Sequence, residues 1–430
     1  MEHENGQKIR VDYGREGMWV DVPARDLVKV LQMRPAAPVA DPEAAIRRAL
    51  SEPIGAAPLT ELARGKRTAC VVVSDITRPV PNSLVLPPLL EALESGGIGR
   101  EEITILVATG LHRPNEGAEL VELVGDYVAS NYRVVNHVAR DAESHVFLGT
   151  TAGGTPAYVD RRFVEADLHV VTGLIEPHLM AGFSGGRKVV CPGLISVETI
   201  RVFHGAQLLA HENAREGILE GNPVHREALD VARLARVDFA VSVALDEDRH
   251  LVGVFAGELE ASHLAGVDFV REHVRDTVPE PADVVVTSSA GYPLDTTFYQ
   301  AVKGATAAAG VVKDGGVILL LAECSEGLGS PDFTQLLRDY PDPSVFERAL
   351  FEEGLFRIDQ WQYQELVKVL HKAHVALVNN TLPADLRGLV PIPVFDKFSE
   401  AYRWAKAHVG ENVRTVVIPR GPYVLAEVGE

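Results

Sequence analysis

Thr68-Ala69-Cys70-Val71-Val72-Val73-Ser74, followed after a helical stretch at 87–95 by Ile103-Thr104-Ile105-Leu106-Val107-Ala108, is the segment from which the fold is read. Both runs are short, largely apolar and rich in β-branched residues, as strands buried on both faces are. Residues 87–95 between them read as a helix, with proline in the first turn and Gly96-Gly97 beyond the end. A further helix is expected over 114–123. This strand–helix alternation implies a largely parallel sheet.

The rhythm extends downstream. Residues 167–174 read as another buried strand. Ser196 caps a helix reaching about residue 209, with Glu198 in its first turn. Residues 237–245 and 250–256 flank a short acidic turn as a hairpin, and 259–274 form a helix. The proline-bearing run 276–282 reads as an interdomain linker. A second unit follows, with strands at 283–288, 316–322, 374–379 and 412–419. Its helices run to about residue 309 from a cap at Asp295 or Thr296, over 359–373 and over 398–408. The expectation is an α/β protein of two α/β domains with largely parallel sheets and an active-site cleft between them. The N-terminal domain, 1–275, would carry cofactor-binding and catalytic histidine motifs. The C-terminal domain, 283–430, would be Rossmann-like and contribute substrate-binding residues.

Composition narrows the function classes. The chain has 430 residues, 46% hydrophobic and 23% charged, which is ordinary for globular domains. A net charge of −19 argues against a nucleic-acid partner, whose phosphates need a basic face. No run reaches the ~18 apolar residues of a membrane span, and the polar start Met1-Glu2-His3-Glu4-Asn5-Gly6 has no signal-peptide pattern. Cys70, Cys191 and Cys324 are far apart and odd in number, so neither a disulfide framework nor a metal finger is expected, and the cytoplasm is the expected compartment.

The candidate chemistry gathers at strand ends. Ile175-Glu176-Pro177-His178-Leu179-Met180-Ala181-Gly182-Phe183-Ser184-Gly185-Gly186-Arg187-Lys188 puts a histidine, an arginine and a lysine among small residues. Such a loop can aim several N–H groups at an anion. It is not a Walker A loop: counting from Gly182, Arg187 stands where the second glycine belongs, and Val189 follows the lysine. A plain structural turn with a surface lysine is the alternative. Asp75 and Arg78, three apart in a proline-stiffened loop, suit a phosphate or a hydroxylated ligand, or else form a loop ion pair. His112 suits proton transfer, or else caps a helix. His204, in a helix interior, is a weak metal-ligand candidate, since a structural site wants three or four protein ligands. Gln300 and Lys303 share a helix face and suit a carboxylate, or else face solvent.

The ordered set SDITRPVPN (74–82), ATGLHRPN (108–115), EPHLMAGFSGGRK (176–188), FHG (203–205) and YQAVK (299–303) resembles the nickel-dependent lactate racemase family, whose members racemise or epimerise 2-hydroxy acids. The resemblance runs from about Asp75 to Trp361. It implies racemisation at C2 of a 2-hydroxy acid, with lactate as the default substrate. It also implies proton-coupled hydride transfer to and from a nickel-pincer nucleotide (pyridinium-3-thioamide-5-thiocarboxylic acid mononucleotide nickel) attached covalently at Lys188. By the same resemblance His204 is the metal ligand, and His112 and His178 are the catalytic acid and base. Asp75, Arg78, Gly185 and Gly186 then contact the cofactor. Arg78, Tyr299, Gln300, Lys303 and Trp361 contact substrate. Cofactor-assembly enzymes are implied as maturation partners. Two alternatives stand beside it: a phosphotransferase-like nucleotide enzyme built on the glycine-rich loop, and a non-catalytic carboxylate-binding module.

Overall fold

Two six-stranded sheets frame the computed structural model, which describes residues 6–429. The first runs in the spatial order Leu251–Gly257, Phe239–Leu245, Leu168–Leu174, Ala69–Ser74, Ile103–Ala108, Arg133–Asn136. All its pairs are parallel except the hairpin between the first two strands. The chain starts at Ala69–Ser74, moves outward through Ile103–Ala108, then returns to the other side at Leu168–Leu174. The strand order therefore reverses at Ala69–Ser74. A crevice opens beyond the carboxyl ends of strands at such a reversal, and α/β proteins bind ligands there. The loops carrying Asp75, His112 and His178 all leave from these ends.

The second sheet is parallel throughout: Val394–Phe395, His374–Val378, Val312–Leu321, Ala282–Ser288, Thr415–Ile418, Leu27–Val30. Its last strand corrects the expected domain division. Leu27–Val30 lies early in the chain, inside the range 1–275, yet it completes the C-terminal sheet. The antiparallel pair Gly6–Val11 and Met18–Pro23 also packs there, with Val11, Val20 and Val22 buried against Val284, Val286 and Leu319. Proximity in sequence suggested the wrong partner; burial of that apolar face decides it.

The expected linker is also more ordered than its prolines suggest. Arg275–Val278 is a strand paired in parallel with Leu425–Val428. Lys29 Nζ donates to Asp276 Oδ1 at 2.6 Å and to the Thr277 carbonyl at 2.8 Å.

Four helix boundaries differ from expectation. The helix expected at 87–95 spans Asn82–Ser95, so Pro87 and Pro88 lie inside it. An interior proline costs roughly 3 kcal/mol. The buried stripe of Val85, Leu86, Leu89, Leu90 and Leu93 outweighs that at about 1.5–3 kcal/mol per side chain. The helix expected at 114–123 begins only at Gly117. The helix capped by Ser196 stops at Phe203, with His204 at its C-cap and Ala206–Leu209 as a separate turn. His204 therefore stands at a helix end, not in a helix interior. Thr297, rather than Asp295 or Thr296, caps Phe298–Ala309. Asp295 is turned away to accept from the amides of Gly14 (2.7 Å) and Glu323 (3.0 Å). Among the described residues no helix is long and apolar enough to cross a membrane.

Candidate functional site

The loop after Leu168–Leu174 folds into a tight antiparallel pair, Pro177–His178 against Gly182–Phe183. Gly182 has φ +77°, and a Cβ there would meet the Ile218 carbonyl oxygen at 2.1 Å. Only glycine fits both constraints. Ser184 ties the loop to its strand, donating to the Leu174 carbonyl (2.7 Å) and accepting from the Glu176 amide (3.0 Å).

Gly185 and Gly186 are closely packed on the side where a Cβ would lie. A Cβ on Gly185 would lie 2.9 Å from Ile175 Cγ1, and one on Gly186 would lie 3.2 Å from His263 Cδ2. The amides of Ser184, Lys188 and Val189 donate to carbonyls within the loop. The glycines thus serve close packing, while the amides of Gly185 and Gly186 have no acceptor among the described residues.

Arg187, 1% exposed, is the internal brace. Its guanidinium donates to the carbonyls of Ala181 (2.9 Å) and Gly185 (3.2 Å) and meets His263 Nε2 at 2.7 Å. Among the described residues it has no carboxylate partner, and burial lowers its pKa to about 9. Sequence reading missed this role, because a charged residue beside a lysine in a glycine loop reads as exposed.

Arg187 brings the next side chain inward. Lys188 Nζ lies 2.9 Å from His178 Nε2. Two backbone amides, of Met180 and Ala181, point at His178 Nδ1 at 3.2 Å. A neutral ring that accepts at Nδ1 carries its proton on Nε2, aimed at the lysine. The lysine can accept it only as a neutral amine. Electrostatics agree with this arrangement. Burial, then Arg78 and Arg187, hold Lys188 well below the usual lysine range. Burial, then Lys188, Arg78 and Lys303, hold His178 well below the usual histidine value.

His112 has the opposite environment. Its Nδ1 lies 2.6 Å from Asp75 Oδ2, and its side chain is 55% exposed. Asp75 is 4% exposed. Burial pushes its carboxyl up, but hydrogen bonds from His112 and Thr77 with the charge of Arg78 outweigh this and hold it below the usual range. Donation through Nδ1 leaves His112 Nε2 without a hydrogen-bond partner among the described residues. Arg78 pairs with Glu176 across the strand reversal. Glu176 was not singled out from sequence; its place beside His178 was the available signal.

His204 completes the N-terminal set. Its Nδ1 is buried without a hydrogen-bond partner among the described residues, and its ring lies 4.6 Å from that of Trp361, tilted by 32°. Burial and then Lys188 push its pKa down to about 3, so the ring is neutral with a lone pair available. From the C-terminal domain, Trp361 Nε1 donates to Tyr299 Oη at 2.8 Å. Gln300 Oε1 is buried and unpartnered. The Lys303 ammonium has no partner among the described residues, and burial followed by Arg78 lowers it to about 8 against the pull of Glu176 and Glu216. A separate interdomain cavity of about 200 Å³ touches Glu176, Pro177, Arg420 and Tyr423, but none of these histidines.

The comparisons follow this geometry along the chain. Residues 13–217 match the family model "Lactate racemase N-terminal domain", and 277–426 match "Lactate racemase C-terminal domain". The chain belongs to the lactate racemase family. It is therefore an isomerase of the racemase type. It is 35% identical to the lactate racemase of Thermoanaerobacterium thermosaccharolyticum over 97% of this chain and 98% of that one. It is 39% identical to the lactate racemase of Lactiplantibacillus plantarum, over 89% and 90% of the two chains. The solved lactate racemase apoprotein of T. thermosaccharolyticum superposes with a TM-score of 0.91, covering 98% of this chain and 100% of its own. A Thermotoga maritima protein at 20% identity superposes at 0.69 over 90% of this chain and 98% of its own, a likeness of fold alone. The family's α/β architecture with largely parallel sheets is thus this chain's architecture.

Proposed function

We propose that this chain interconverts the enantiomers of a small 2-hydroxy acid, with lactate, the substrate named for its relatives, as the first candidate. The observation that carries the reading is the pair of differently set histidines. His112 is held by a carboxylate, and His178 is surrounded by cations, among them Lys303, which has no partner among the described residues.

The residues present fit the nickel-pincer nucleotide that the resemblance implies. Lys188 has the neutral amine that covalent attachment requires. His204 offers a neutral ring with an orphaned buried nitrogen. Among the described residues no cluster of three or more His, Cys, Asp or Glu side chains could hold a metal ion, so a metal at His204 would draw its other donors from a bound group, as a tetragonal Ni(II) site can. Asp75 and Arg78 lie at the strand reversal where a nucleotide would rest. When bound, the cofactor would accept and return a hydride at C2 of the substrate. Loading would fall to separate cofactor-assembly enzymes.

The chain's own residues do the rest. Lys303 and Gln300 hold the substrate carboxylate, with Arg78 contributing the part of its guanidinium that Glu176 leaves free. The hydroxyl proton leaves to one imidazole and returns from the other. Two histidines are needed because enantiomers bound by the same carboxylate point their hydroxyls in different directions, and proton transfer requires hydrogen-bond reach. Asp75 holds the His112 ring by its Nδ1. The cations around His178 favour its neutral form. Tyr299 and Trp361 wall the crevice against water.

The test is peptide mapping by mass spectrometry on protein co-produced with the assembly enzymes and nickel, joined to a chiral assay of several 2-hydroxy acids. A sulfur-containing nucleotide adduct on Lys188, with racemisation lost in Lys188→Ala, is the expected result. An unmodified Lys188 in a preparation that loads a known racemase would overturn the reading.

A further inference from the structure

Asn222 caps the helix Pro223–Leu234 and is 1% exposed. Its Oδ1 accepts from the amides of Val224 (2.9 Å) and His225 (3.1 Å). Both partners are donors, so the oxygen must face them and the NH2 group is turned the other way. Serine would cap the helix as well, but it lacks this second half of the side chain. Asn222 Nδ2 donates to the Ile218 carbonyl at 2.9 Å and to the Met180 carbonyl at 2.9 Å.

The Met180 carbonyl matters for what shares its peptide unit. The C=O of Met180 and the N–H of Ala181 belong to one planar trans peptide and point in opposite directions. On one side stands Asn222. On the other, the Ala181 N–H points at His178 Nδ1 at 3.2 Å, beside the N–H of Met180. His178 Nε2 then meets Lys188 Nζ at 2.9 Å. The Asn222 amide, the Met180–Ala181 peptide, the imidazole and the lysine amine therefore stand in one head-to-tail series. Hydrogen bonds in series polarise one another. A donor pulling on the Met180 oxygen makes the Ala181 N–H a stronger donor to the ring. Which ring nitrogen keeps the proton is set by the bond the other makes. The Ile218 carbonyl, held by the same NH2 group, is the one that lies against Gly182. Asn222 thus also fastens the segment 218–222 to the loop that carries His178.

We propose that Asn222 is a positioning residue for His178: through the Met180–Ala181 peptide it holds the ring in the tautomer protonated at Nε2, facing Lys188. Its bearing on turnover rests on the racemase reading above; its bearing on the ring does not.

The experiment uses the full chain with isotopically nitrogen-labelled histidine, the His178 resonances being assigned by their loss in His178→Gln. Asn222→Ser keeps a capping oxygen, and glycine is also tolerated at a helix cap, so Asn222→Ser and Asn222→Gly remove the donor while sparing the helix. In cofactor-free protein, the parent His178 should show the Nε2–H tautomer, with its Nδ1 resonance moved upfield by the bonds it accepts. Both variants should move that resonance downfield, toward an unbonded imidazole nitrogen. In loaded enzyme each should lower kcat on the order of tenfold, with KM nearly constant, as small misplacements in a site do. Placed in His178→Ala, Asn222→Ser should cost no more than about twofold further, since the two changes act on one group. The proposal is overturned if the folded variants keep the parent Nδ1 resonance, or if Asn222→Ser costs as much in His178→Ala as it does alone. If loaded parent enzyme racemises nothing, the functional reading fails, while the nitrogen resonances still decide the positioning role.

Discussion

Lys188 Nζ and His178 Nε2 lie 2.9 Å apart, and the two amides at His178 Nδ1 leave the ring's proton only the lysine to meet. The contact fixes a neutral amine beside a neutral imidazole. In the cofactor-free protein the pH at which Lys188 becomes half-reactive toward an acylating reagent should lie well below that of exposed lysines such as Lys397. Quantitative peptide mapping across a pH series reads this. A Lys188 profile coincident with the exposed lysines would show the amine to be protonated and the contact misassigned.

The two histidines should fail differently. His112→Ala and His178→Ala should each lower kcat on the order of 10²- to 10⁴-fold, the usual range for a lost general acid or base. Combined, they should cost much less than the product, because residues acting as one unit are not additive. Asp75→Asn should weaken only the His112 arm. Following both directions of turnover with single enantiomers checks this. Unchanged turnover of Asp75→Asn in both directions would exclude the pair.

Much of this was legible from sequence. The alternation of buried strand and helix predicted the parallel sheets, because continuous β-branched runs such as Val71-Val72-Val73 have few other stable uses. The histidines and Lys188 were found by motif, and the structure gathers them around one crevice. What sequence hid depends on long-range burial. Leu27–Val30 is too short to name its own partner. Arg187 reads as a surface charge until the loop's carbonyls are seen wrapped around it. Asn222 looks like an ordinary helix cap.

Gly65 and Gly182 offer a matched test of backbone against packing. Their φ values are +76° and +77°, but a Cβ on Gly65 meets nothing within 4 Å, while one on Gly182 meets a carbonyl at 2.1 Å. Gly65→Ala should lose about 1 kcal/mol of stability from the left-handed backbone alone. Gly182→Ala should lose at least about 3 kcal/mol, with movement of the loop bearing His178. Denaturant melts compare them; similar losses would mean that the Ile218 carbonyl yields freely.

Lys303→Met should raise KM for the hydroxy acid by on the order of 10- to 100-fold, the loss of one charged hydrogen bond to a carboxylate. The fold should persist, since no described partner loses a bond. Isothermal titration with a non-reacting carboxylate analogue gives an independent reading. An unchanged affinity would remove Lys303 from the substrate site.

Glu216 sets a pH dependence of stability. Burial raises its carboxyl from 4.5 to about 8, against a hydrogen bond from Thr306. The folded state then binds a proton that the unfolded chain has lost. Its contribution is complete below about pH 4.5 and disappears as pH rises through about 8. Glu216→Gln should therefore gain on the parent in Tm steadily across that window. A constant Tm difference between the two from pH 5 to 8 would contradict the shift.

The edge strand Leu27–Val30 also governs how the molecule is made. During synthesis it leaves the ribosome hundreds of residues before Thr415–Ile418, the strand it pairs with. The C-terminal sheet stays incomplete until the last segment is released, and the closing contact joins segments near the two ends of the chain. A ribosome-bound fragment ending near residue 275 holds that strand and its hairpin without their sheet, their apolar faces open to chaperones. Severing the chain between the halves would therefore not release two finished pieces: the C-terminal fragment would lack its own border, and the N-terminal one would carry it away.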